Sequence, residues 1–339
     1  MGYTNLKISP KTTLSTGGST GVYQNVVQKG HIAKHYIYAM QLHKNANCVL
    51  RTKFTGTDPD STTYFGPSML KMFDSASGHS QTWEYANQPG QWFIGTKGVL
   101  ADDGYEWATQ IARVTVPPTS IKHYSNTDFP RLSSLSTAGS TTTQKYNIDL
   151  LRSEAAVSPD YKYFLVATIT KPYLHDNDSK KYSDGYFSLY YLDDINSKLN
   201  NGTSYYPINS FTPVKDHEHF MIEDMTKPSI IGSFQGVDID DNLNIYISSQ
   251  KSPKTGSTSE PRYLYKIPWG ATNKADWTTI DLNNDSRVDD VSNHSTEFES
   301  VQVIDENHLY LTVAYHGYNK KQSWETLNNR IYEISWDNL

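Results

Sequence analysis

Five Gln or Glu residues begin five similar stretches of this 339-residue chain. They are Gln24, Gln81, Glu154, Gln235 and Glu299, and each is followed by a small or short residue and then by an apolar one. Carboxamide and carboxylate groups hydrogen-bond hydroxyl groups well, so five of them around one point would suit a sugar. The same side chains could instead cap unpaired backbone N–H groups and hold neighbouring strands together. The residues alone leave both interpretations open.

Basic residues follow a second strand-like run in each stretch. Lys251 and His316 are two of them, and Lys44, Lys97 and Lys171 occupy similar places. A ring of Lys and protonated His could bind phosphate. Since Lys is also common after strands, the pattern has a purely structural explanation as well.

These positions belong to a unit of strand-like runs that occurs five times. The runs are rich in Tyr, Trp, Thr and Val, which favour strands, and Ser, Asn, Asp and Gly fill the turns. The first runs begin YQNVVQ, SQTWEY, SEAAVS, FQGVDI and FESVQV; the second are YIYAM, WFIGT, YFLVAT, IYISSQ and LYLTVA; the third are VLRTKF, ATQIARV, FSLYYL, YLYKIP and RIYEIS.

Five copies of an antiparallel unit with three to four strands predict an all-β fold, the five-bladed β-propeller. A sandwich of two sheets would explain the strands but not the five equivalent Gln/Glu positions. In a propeller, the start of each inner strand and the end of each second strand lie on one rim. The Gln/Glu residues, Lys251 and His316 are therefore predicted to surround one mouth of the axis.

Residues 21–339 are predicted to form a single propeller domain, and residues 1–20 a flexible leader. Within the leader, LKIS at residues 6–9 is a candidate for a strand that closes the ring on the last blade. Successive Gln/Glu positions lie farther apart than the roughly 40–50 residues of a bare blade, so insertions must hold the surplus. The predicted insertions are 55–79, 117–147, 170–184, 196–232, 270–296 and 317–328. The best helical candidate is LDDINSKL, residues 192–199.

Composition argues against several classes of protein. The single Cys48 rules out an intramolecular disulfide and is expected to be a small buried hydrophobic residue. The net charge is −6 without any Lys/Arg block, which argues against nucleic acid as a partner. No apolar run approaches the roughly 20 residues that cross a bilayer, so no transmembrane segment is predicted. We expect a monomer without a cofactor.

The segment HYSNTDFPRLSSL, residues 123–135, is irregular and polar. Irregular segments carry function more often than strands do, so Asn126 and Arg131 are candidate ligand contacts. An ion pair between Arg131 and Asp128 that fixes the loop is the structural alternative.

Two short motifs point weakly to other chemistry. Asp281, Asn283 and Asp285 occupy the first, third and fifth positions of a calcium loop, but Ser286 and Ser292 replace its glycine and its last acidic ligand. GGSTG at residues 17–21 has the spelling of a nucleophile elbow, but it follows no apolar strand and predicts no hydrolase. A calcium ion bound by Asp281, Asn283 and Asp285 is therefore a weak prediction, and no other metal is predicted.

Several blocks of the sequence resemble the helveticin J family of large bacteriocins from lactic acid bacteria. The blocks are YQNVVQKG, QTWE, GQWFIG, QIARV, HYSNTDFPRLS, EAAVSPDY, IYISSQK and LTVAYH, and in this order they cover about residues 22–336. The resemblance implies a secreted antibacterial protein that acts on related bacteria. The first residues lack the apolar core of a signal peptide, so export would use another route or a leader already removed.

The rim and the resemblance together lead to the hypothesis that the protein recognises a cell-envelope glycan or a phosphate-bearing polymer. Two alternatives stay open. A cell-surface lectin or adhesin would bind without killing. A glycosidase on wall polysaccharide would need two carboxyl groups about 5–10 Å apart, and Glu154 and Glu299 are the only acids among the five positions.

Overall fold

The computed structural model contains five large sheets around one axis, which confirms the predicted five-bladed β-propeller. The structure describes residues 2–16, 24–54, 61–175, 179–202, 204–257, 260–290 and 293–338. Each blade has four antiparallel strands, which we number from the axis outwards.

The strands follow the chain from blade to blade. Blade one contains Val27–Ile32, Tyr36–His43, Ala46–Lys53 and Leu70–Met72. Blade two contains Trp83–Tyr85, Gln91–Leu100, Glu106–Thr115 and Arg131–Ser133. Blade three contains Leu150–Val157, Tyr163–Thr170, Gly185–Tyr191 and His219–Ile222. Blade four contains Val237–Ile239, Ile245–Ser249, Tyr263–Ile267 and Thr278–Asp281. Blade five contains Ser295–Asp305, His308–Tyr318, Trp324–Asn338 and Tyr3–Ser15.

Burial on both faces explains why the second strands read as continuous apolar runs. In Tyr163–Thr170, every residue after Tyr163 is buried. Alternate side chains point to opposite faces of a sheet. Leu165 and Ile169 accordingly join the core shared with blade four, while Phe164 and Val166 join the core shared with blade two.

The small residues after the Gln/Glu positions have a steric cause near the axis. A Cβ atom on Gly236 would lie 2.4 Å from the backbone Cα of Ser300 in the next blade. Two inner strands therefore approach so closely that only glycine fits at this position.

Three of the predicted insertions connect neighbouring blades. Blades one, two and five each gain a fifth strand that runs parallel to their fourth strand. These strands are Lys122–Tyr124 on blade one, Tyr205–Pro207 on blade two and Thr62–Tyr64 on blade five. Each comes from a segment of the next blade around the ring, so the insertions hold adjacent blades together.

Residues 3–15 complete blade five. Tyr3–Ser15 pairs antiparallel with Trp324–Asn338, from Tyr3 opposite Asn338 to Thr13 opposite Arg330. The LKIS segment lies inside this strand, whereas GGSTG lies outside the described residues.

The predicted short helix is confirmed at Leu192–Leu199, after the third strand of blade three. Its apolar residues, Leu192, Ile195 and Leu199, recur at helical spacing and are buried. Arg113 of blade two donates from Nη1 to the Asn196 carbonyl oxygen at 3.2 Å and so anchors the helix across the blade boundary. The other short elements are the 3₁₀ turns Asp74–Ala76, Leu135–Thr137, Ile208–Ser210, Lys274–Asp276 and Ser286–Val288 and the hairpin Tyr173–Leu174 with Lys181–Tyr182. Within the described part of the chain, no helix has the length and apolar character needed to span a membrane.

Candidate functional site

An open cavity of about 620 Å³ lies on the axis where the inner strands begin. We call it the polar mouth and define it by Gln28, Gln81, Arg152, Gln235, Glu297 and Glu299, which all line it. Lys251, which follows the second strand of blade four, lines the same cavity and is exposed. Inner-strand starts and second-strand ends thus meet at one rim.

Four of the five Gln/Glu positions lie at or next to this mouth. Gln81, Gln235 and Glu299 line the cavity, while Glu154 is almost fully buried and bonds to Arg152 in its wall. Gln24 lies elsewhere: it is exposed and its amide donates to the Leu327 carbonyl oxygen at 3.0 Å.

Gln28 takes the place that was expected for Gln24. Its Oε1 accepts a hydrogen bond from Gln81 Nε2 at 2.8 Å. The block YQNVVQKG holds two glutamines, and the strand itself begins only at Val27. Sequence spacing could not decide which glutamine reaches the axis.

Glu154 joins blades two and three at a seam formed by Ser80, Gln81, Thr82, Arg152 and Glu154. One carboxylate oxygen accepts from the Gln81 N–H at 3.0 Å, from Ser80 Oγ at 2.7 Å and from Thr82 Oγ1 at 2.6 Å. The other accepts from Arg152 Nη2 at 2.8 Å. Four donors around one buried carboxylate match the structural alternative, in which these side chains cap backbone and hydroxyl groups.

Arg152 is a central residue of the mouth that sequence reasoning missed. Its Nη1 donates to the Phe234 carbonyl oxygen at 3.0 Å and its Nη2 to the Gln235 carbonyl oxygen at 3.2 Å. Nη2 also donates to Gln81 Oε1. The guanidinium lies 4.2 Å from the ring centroid of Trp107, an attractive cation–π distance. Its charge is therefore used within the protein and ties blades two, three and four together.

A simple sequence signal could have found Arg152. In a strand, residues two apart point to the same face. The residues two positions before Gln81, Glu154, Gln235 and Glu299 all line the polar mouth, and they are His79, Arg152, Ser233 and Glu297.

Glu299 differs from Glu154 in having few partners. Its Oε2 accepts one long hydrogen bond of 3.4 Å from Gln81 Nε2, and its buried Oε1 accepts none. Burial raises the pKa of Glu299 well above the ordinary value, and the nearby Glu297 carboxylate raises it further. The protonated carboxyl, which can donate a hydrogen bond, is favoured here.

Glu297 is held by two polar neighbours. His316 Nε2 lies 2.8 Å from one carboxylate oxygen, and Ser252 Oγ donates to the other. His316 therefore acts behind the mouth as a support for Glu297 and is itself buried.

Aromatic rings form one wall of the cavity. Trp107 stacks on His79 with ring centroids 4.3 Å apart, and Tyr105 lies beside them with 46% of its surface exposed. Burial and, second, the Arg152 charge lower the pKa of His79 to about 3, so the imidazole is neutral. The wall therefore places the exposed Tyr105 ring next to amide and carboxyl groups.

Comparison with known proteins decides the family. The family described as bacteriocin helveticin-J matches residues 3–337. Bacteriocin helveticin-J of Lactobacillus helveticus is 39% identical over 352 residues, which cover 98% of this chain and 98% of that one.

The chain belongs to the helveticin-J family of bacteriocins.

Similarity to solved structures is weak. The WD40 domain of Toxoplasma gondii coronin is 10% identical with a TM-score of 0.37, covering 99% of this chain and 87% of that one. Hydrazine synthase of Kuenenia stuttgartiensis is 10% identical with a TM-score of 0.35, covering 91% of this chain and 64% of that one. Neither similarity bears on what this helveticin-J family member does.

Two predicted contact residues of this bacteriocin-family chain lie outside the polar mouth. Arg131 begins the fourth strand of blade two, donates to Gln110 Oε1 at 2.8 Å and to the Thr127 carbonyl oxygen at 3.0 Å. No ion pair joins it to Asp128, although both residues are described. Asn126 is exposed in the same segment and accepts from the Asp128 N–H at 3.3 Å.

At the predicted calcium site, the side-chain oxygens of Asp281, Asn283 and Asp285 already bond to protein donors. Asp281 Oδ1 accepts from the Asn283 N–H at 2.9 Å, and Asn283 Oδ1 accepts from the Arg262 N–H at 2.8 Å. Asp285 pairs with Arg287 at 2.5 Å. These oxygens accept from different protein donors, and the calcium site stays a prediction.

A second cavity, of about 600 Å³, lies where the inner strands end. We call it the aromatic mouth, because Tyr36, Tyr85, Trp92, Tyr161 and Tyr310 line it. It forms the opposite end of the axis.

A buried lysine lies between the two mouths. Lys29 Nζ is 2.7 Å from Glu84 Oε1, and it donates to the Val301 carbonyl oxygen at 2.6 Å. Asp238 lies 3.9 Å away, and burial raises the pKa of this acid to about 6. This cluster joins blades one, two, four and five at mid-axis.

Proposed function

We propose that this helveticin-J family member is a secreted, monomeric antibacterial protein that binds a glycan of the target-cell envelope in the polar mouth. The proposal is supported chiefly by the half-exposed ring of Tyr105, which lies beside amide and carboxyl groups in one open cavity. Aromatic faces stack on sugar rings, and polar groups at the edge of the rings bond the hydroxyls.

Charge favours a neutral glycan over a phosphate-bearing polymer. The two Nη atoms of Arg152 already donate to four protein acceptors, and Lys251 is an exposed cation of the cavity. Asp103 and Glu297 bring negative charge to the same cavity. A polyanion would meet more repulsion than attraction here.

Two tyrosines of similar exposure provide a matched test. Tyr105 in the polar mouth is 46% exposed and Tyr161 in the aromatic mouth is 40% exposed. Binding of purified protein to cell walls of related bacteria is measured for both alanine variants. We expect Tyr105→Ala to weaken binding by about 10-fold or more, in keeping with the loss of one stacked ring, and Tyr161→Ala to leave it unchanged. Equal binding by the two folded variants would reject the polar mouth as the site.

Growth inhibition separates killing from mere attachment. A lectin or adhesin would bind walls without reducing growth of related strains. The proposed function predicts that Tyr105→Ala lowers inhibition in proportion to wall binding. Wall binding with no inhibition by the wild type would favour the lectin alternative.

A glycosidase remains the second candidate, with a changed pair of acids. Glu154 is buried with four donors, whereas Glu297 and Glu299 both line the mouth. Residues two positions apart on one strand lie about 7 Å apart, and burial raises the pKa of Glu299. Release of reducing ends from purified walls, lost in Glu299→Gln, would support hydrolysis; no release by the wild type would exclude it for those walls.

A further inference from the structure

We infer that blade three carries a site for a divalent transition-metal cation, with Zn²⁺ the best match, formed by His175, Asp184 and Asp224. One ligand atom from each residue lies within 4.8 Å of the other two. The three residues come from separate segments: after Tyr173–Leu174, before the third strand and after the fourth strand.

Unsatisfied buried atoms point into this cluster. The His175 side chain is only 10% exposed, yet its Nε2 makes no hydrogen bond, and neither does Asp224 Oδ1. The imidazole nitrogen lies 3.4 Å from Asp184 Oδ1 and 3.0 Å from Asp224 Oδ1. Buried polar atoms without hydrogen bonds cost free energy, and a cation bound beside Asp184 would satisfy both atoms at once.

The separations fit a zinc ion. Zn²⁺ bonds to His nitrogen and Asp oxygen of about 2.0–2.2 Å at tetrahedral angles put neighbouring ligand atoms about 3.4 Å apart. The two measured His–Asp separations are close to that value. A mixed nitrogen and oxygen set favours zinc over Ca²⁺ or Mg²⁺, which prefer oxygen alone. Three protein ligands leave the fourth position for water.

Each ligand also has a second partner of the kind that orients metal ligands in proteins. These contacts are Glu223 Oε1 at 3.4 Å from His175 Nδ1, Tyr173 Oη at 2.5 Å from Asp184 Oδ2 and Lys227 Nζ at 3.2 Å from Asp224 Oδ2. A carboxylate on the far nitrogen of a histidine fixes the tautomer that presents Nε2 to the metal.

The backbone brings the two carboxylates together. The Asp224 N–H donates to Asp184 Oδ1 at 2.9 Å. Met225, which follows Asp224, packs against Gly185. A Cβ atom on residue 185 would lie 2.2 Å from Met225 Sδ, so only glycine leaves room for it. Thr226, two residues beyond Asp224, lines the polar mouth. A metal here would fix one part of the wall of that mouth.

The competing explanation is an imidazolium ion between two carboxylates, with no metal. A control histidine of that kind exists in blade five. His308 lies between Asp305 at 3.4 Å and Glu333 at 2.8 Å, and its Nε2 bonds to Glu333. Like His175, His308 lies between two carboxylates, but its Nε2 has a hydrogen-bond partner.

The test titrates chelator-stripped full-length protein with ZnCl₂ by calorimetry and counts bound zinc by elemental analysis. We expect one zinc per chain, a loss of at least 100-fold in affinity for His175→Ala and Asp224→Asn, and no change for His308→Ala. Glu223→Gln should weaken binding by about 10–100-fold without altering the fold. Magnesium chloride should give no binding signal.

Absence of stoichiometric zinc in the wild type would overturn the proposal. So would an equal loss of zinc in His175→Ala and His308→Ala. Should the alanine variant of His175 not fold, unchanged zinc affinity of folded Glu223→Gln would count against the site. The readout is zinc uptake and not wall binding, so it is independent of the proposed function.

Discussion

Glu154 and Glu299 occupy equivalent positions in blades three and five but have opposite surroundings. At the seam of blades two and three, the Glu154 carboxylate receives four hydrogen-bond donors and is hidden behind Arg152. In the polar mouth, Glu299 receives one long hydrogen bond and keeps an oxygen without any. One acid holds two blades together, and the other lines the polar mouth with an oxygen that accepts no hydrogen bond.

The contrast shows what a repeat specifies. The repeat determines where along the inner strand a side chain lies. The neighbouring blade determines which partners it finds, and neighbours differ because each seam has its own sequence. Equivalent residues of a propeller therefore need not share a role.

The largest effect should come from Glu154→Gln. The substitution leaves the buried Arg152 charge without its anion and places an amide NH₂ against hydroxyl donors. Removing one partner of a buried ion pair costs about 3–5 kcal/mol. Urea denaturation measures the loss in free energy of unfolding, with Glu299→Gln as the matched control. Equal destabilisation by both variants would show that the two positions do not differ.

Arg152→Lys should come second, with a loss of about 1.5–3 kcal/mol in stability. An ammonium keeps the charge but cannot reproduce the planar fork that reaches Glu154, Gln81 and two carbonyl oxygens, nor stack on Trp107. Thermal unfolding followed by tryptophan fluorescence checks this. A variant as stable as the wild type would mean that charge alone holds the seam.

Glu299→Gln should have the opposite sign and depend on pH. Because the pKa of Glu299 is raised in the folded state, its contribution to stability is complete below the pKa of an unfolded Glu and is lost as pH rises towards the folded-state value. The loss proceeds at up to about 1.4 kcal/mol per pH unit. The amide does not titrate, so the variant should match the wild type near pH 4 and be more stable at pH 7. Melting temperatures across this range measure the difference, and a constant offset would contradict the raised pKa.

Gln24→Ala should have the smallest effect, within about 0.5 kcal/mol, because the side chain is exposed. Gln28→Ala should cost about 1–3 kcal/mol, since it leaves Gln81 and His79 without their shared acceptor. Chemical denaturation of both variants shows which glutamine belongs to the axial set. A larger loss in Gln24→Ala would restore the sequence-based assignment.

The sequence predicted the strands that carry strong patterns and missed the short ones. Second strands such as Tyr36–His43 and Tyr163–Thr170 begin at the predicted residues, because continuous burial leaves an apolar run. Fourth strands such as Leu70–Met72 lie within predicted insertions. Three residues are too few to show a period, and pairing with the third strand decides their conformation.

The candidate site was only partly predictable. The rim followed from propeller geometry, but Arg152 is not part of the Gln/Glu pattern and reaches the mouth because it lies two residues before Glu154 on the same strand. Arg131 was predicted as a ligand contact, with an ion pair to Asp128 as the alternative, whereas it donates from Nε to Gln110 of the adjacent strand. Residues that meet only through tertiary structure, such as His175 and Asp224, leave no spacing signal in one sequence.

Pairing of Tyr3–Ser15 with Trp324–Asn338 has a consequence for biosynthesis. The first of these strands is synthesised before blades one to four and its partner after them, a delay of about 17–70 s at roughly 5–20 residues per second. Throughout that time the early segment has no native neighbour, while blades one to four can already fold. Contacts between residues so distant in the chain also form slowly. Completion of blade five, and not any earlier folding event, should therefore set the moment at which the ring becomes resistant to proteases.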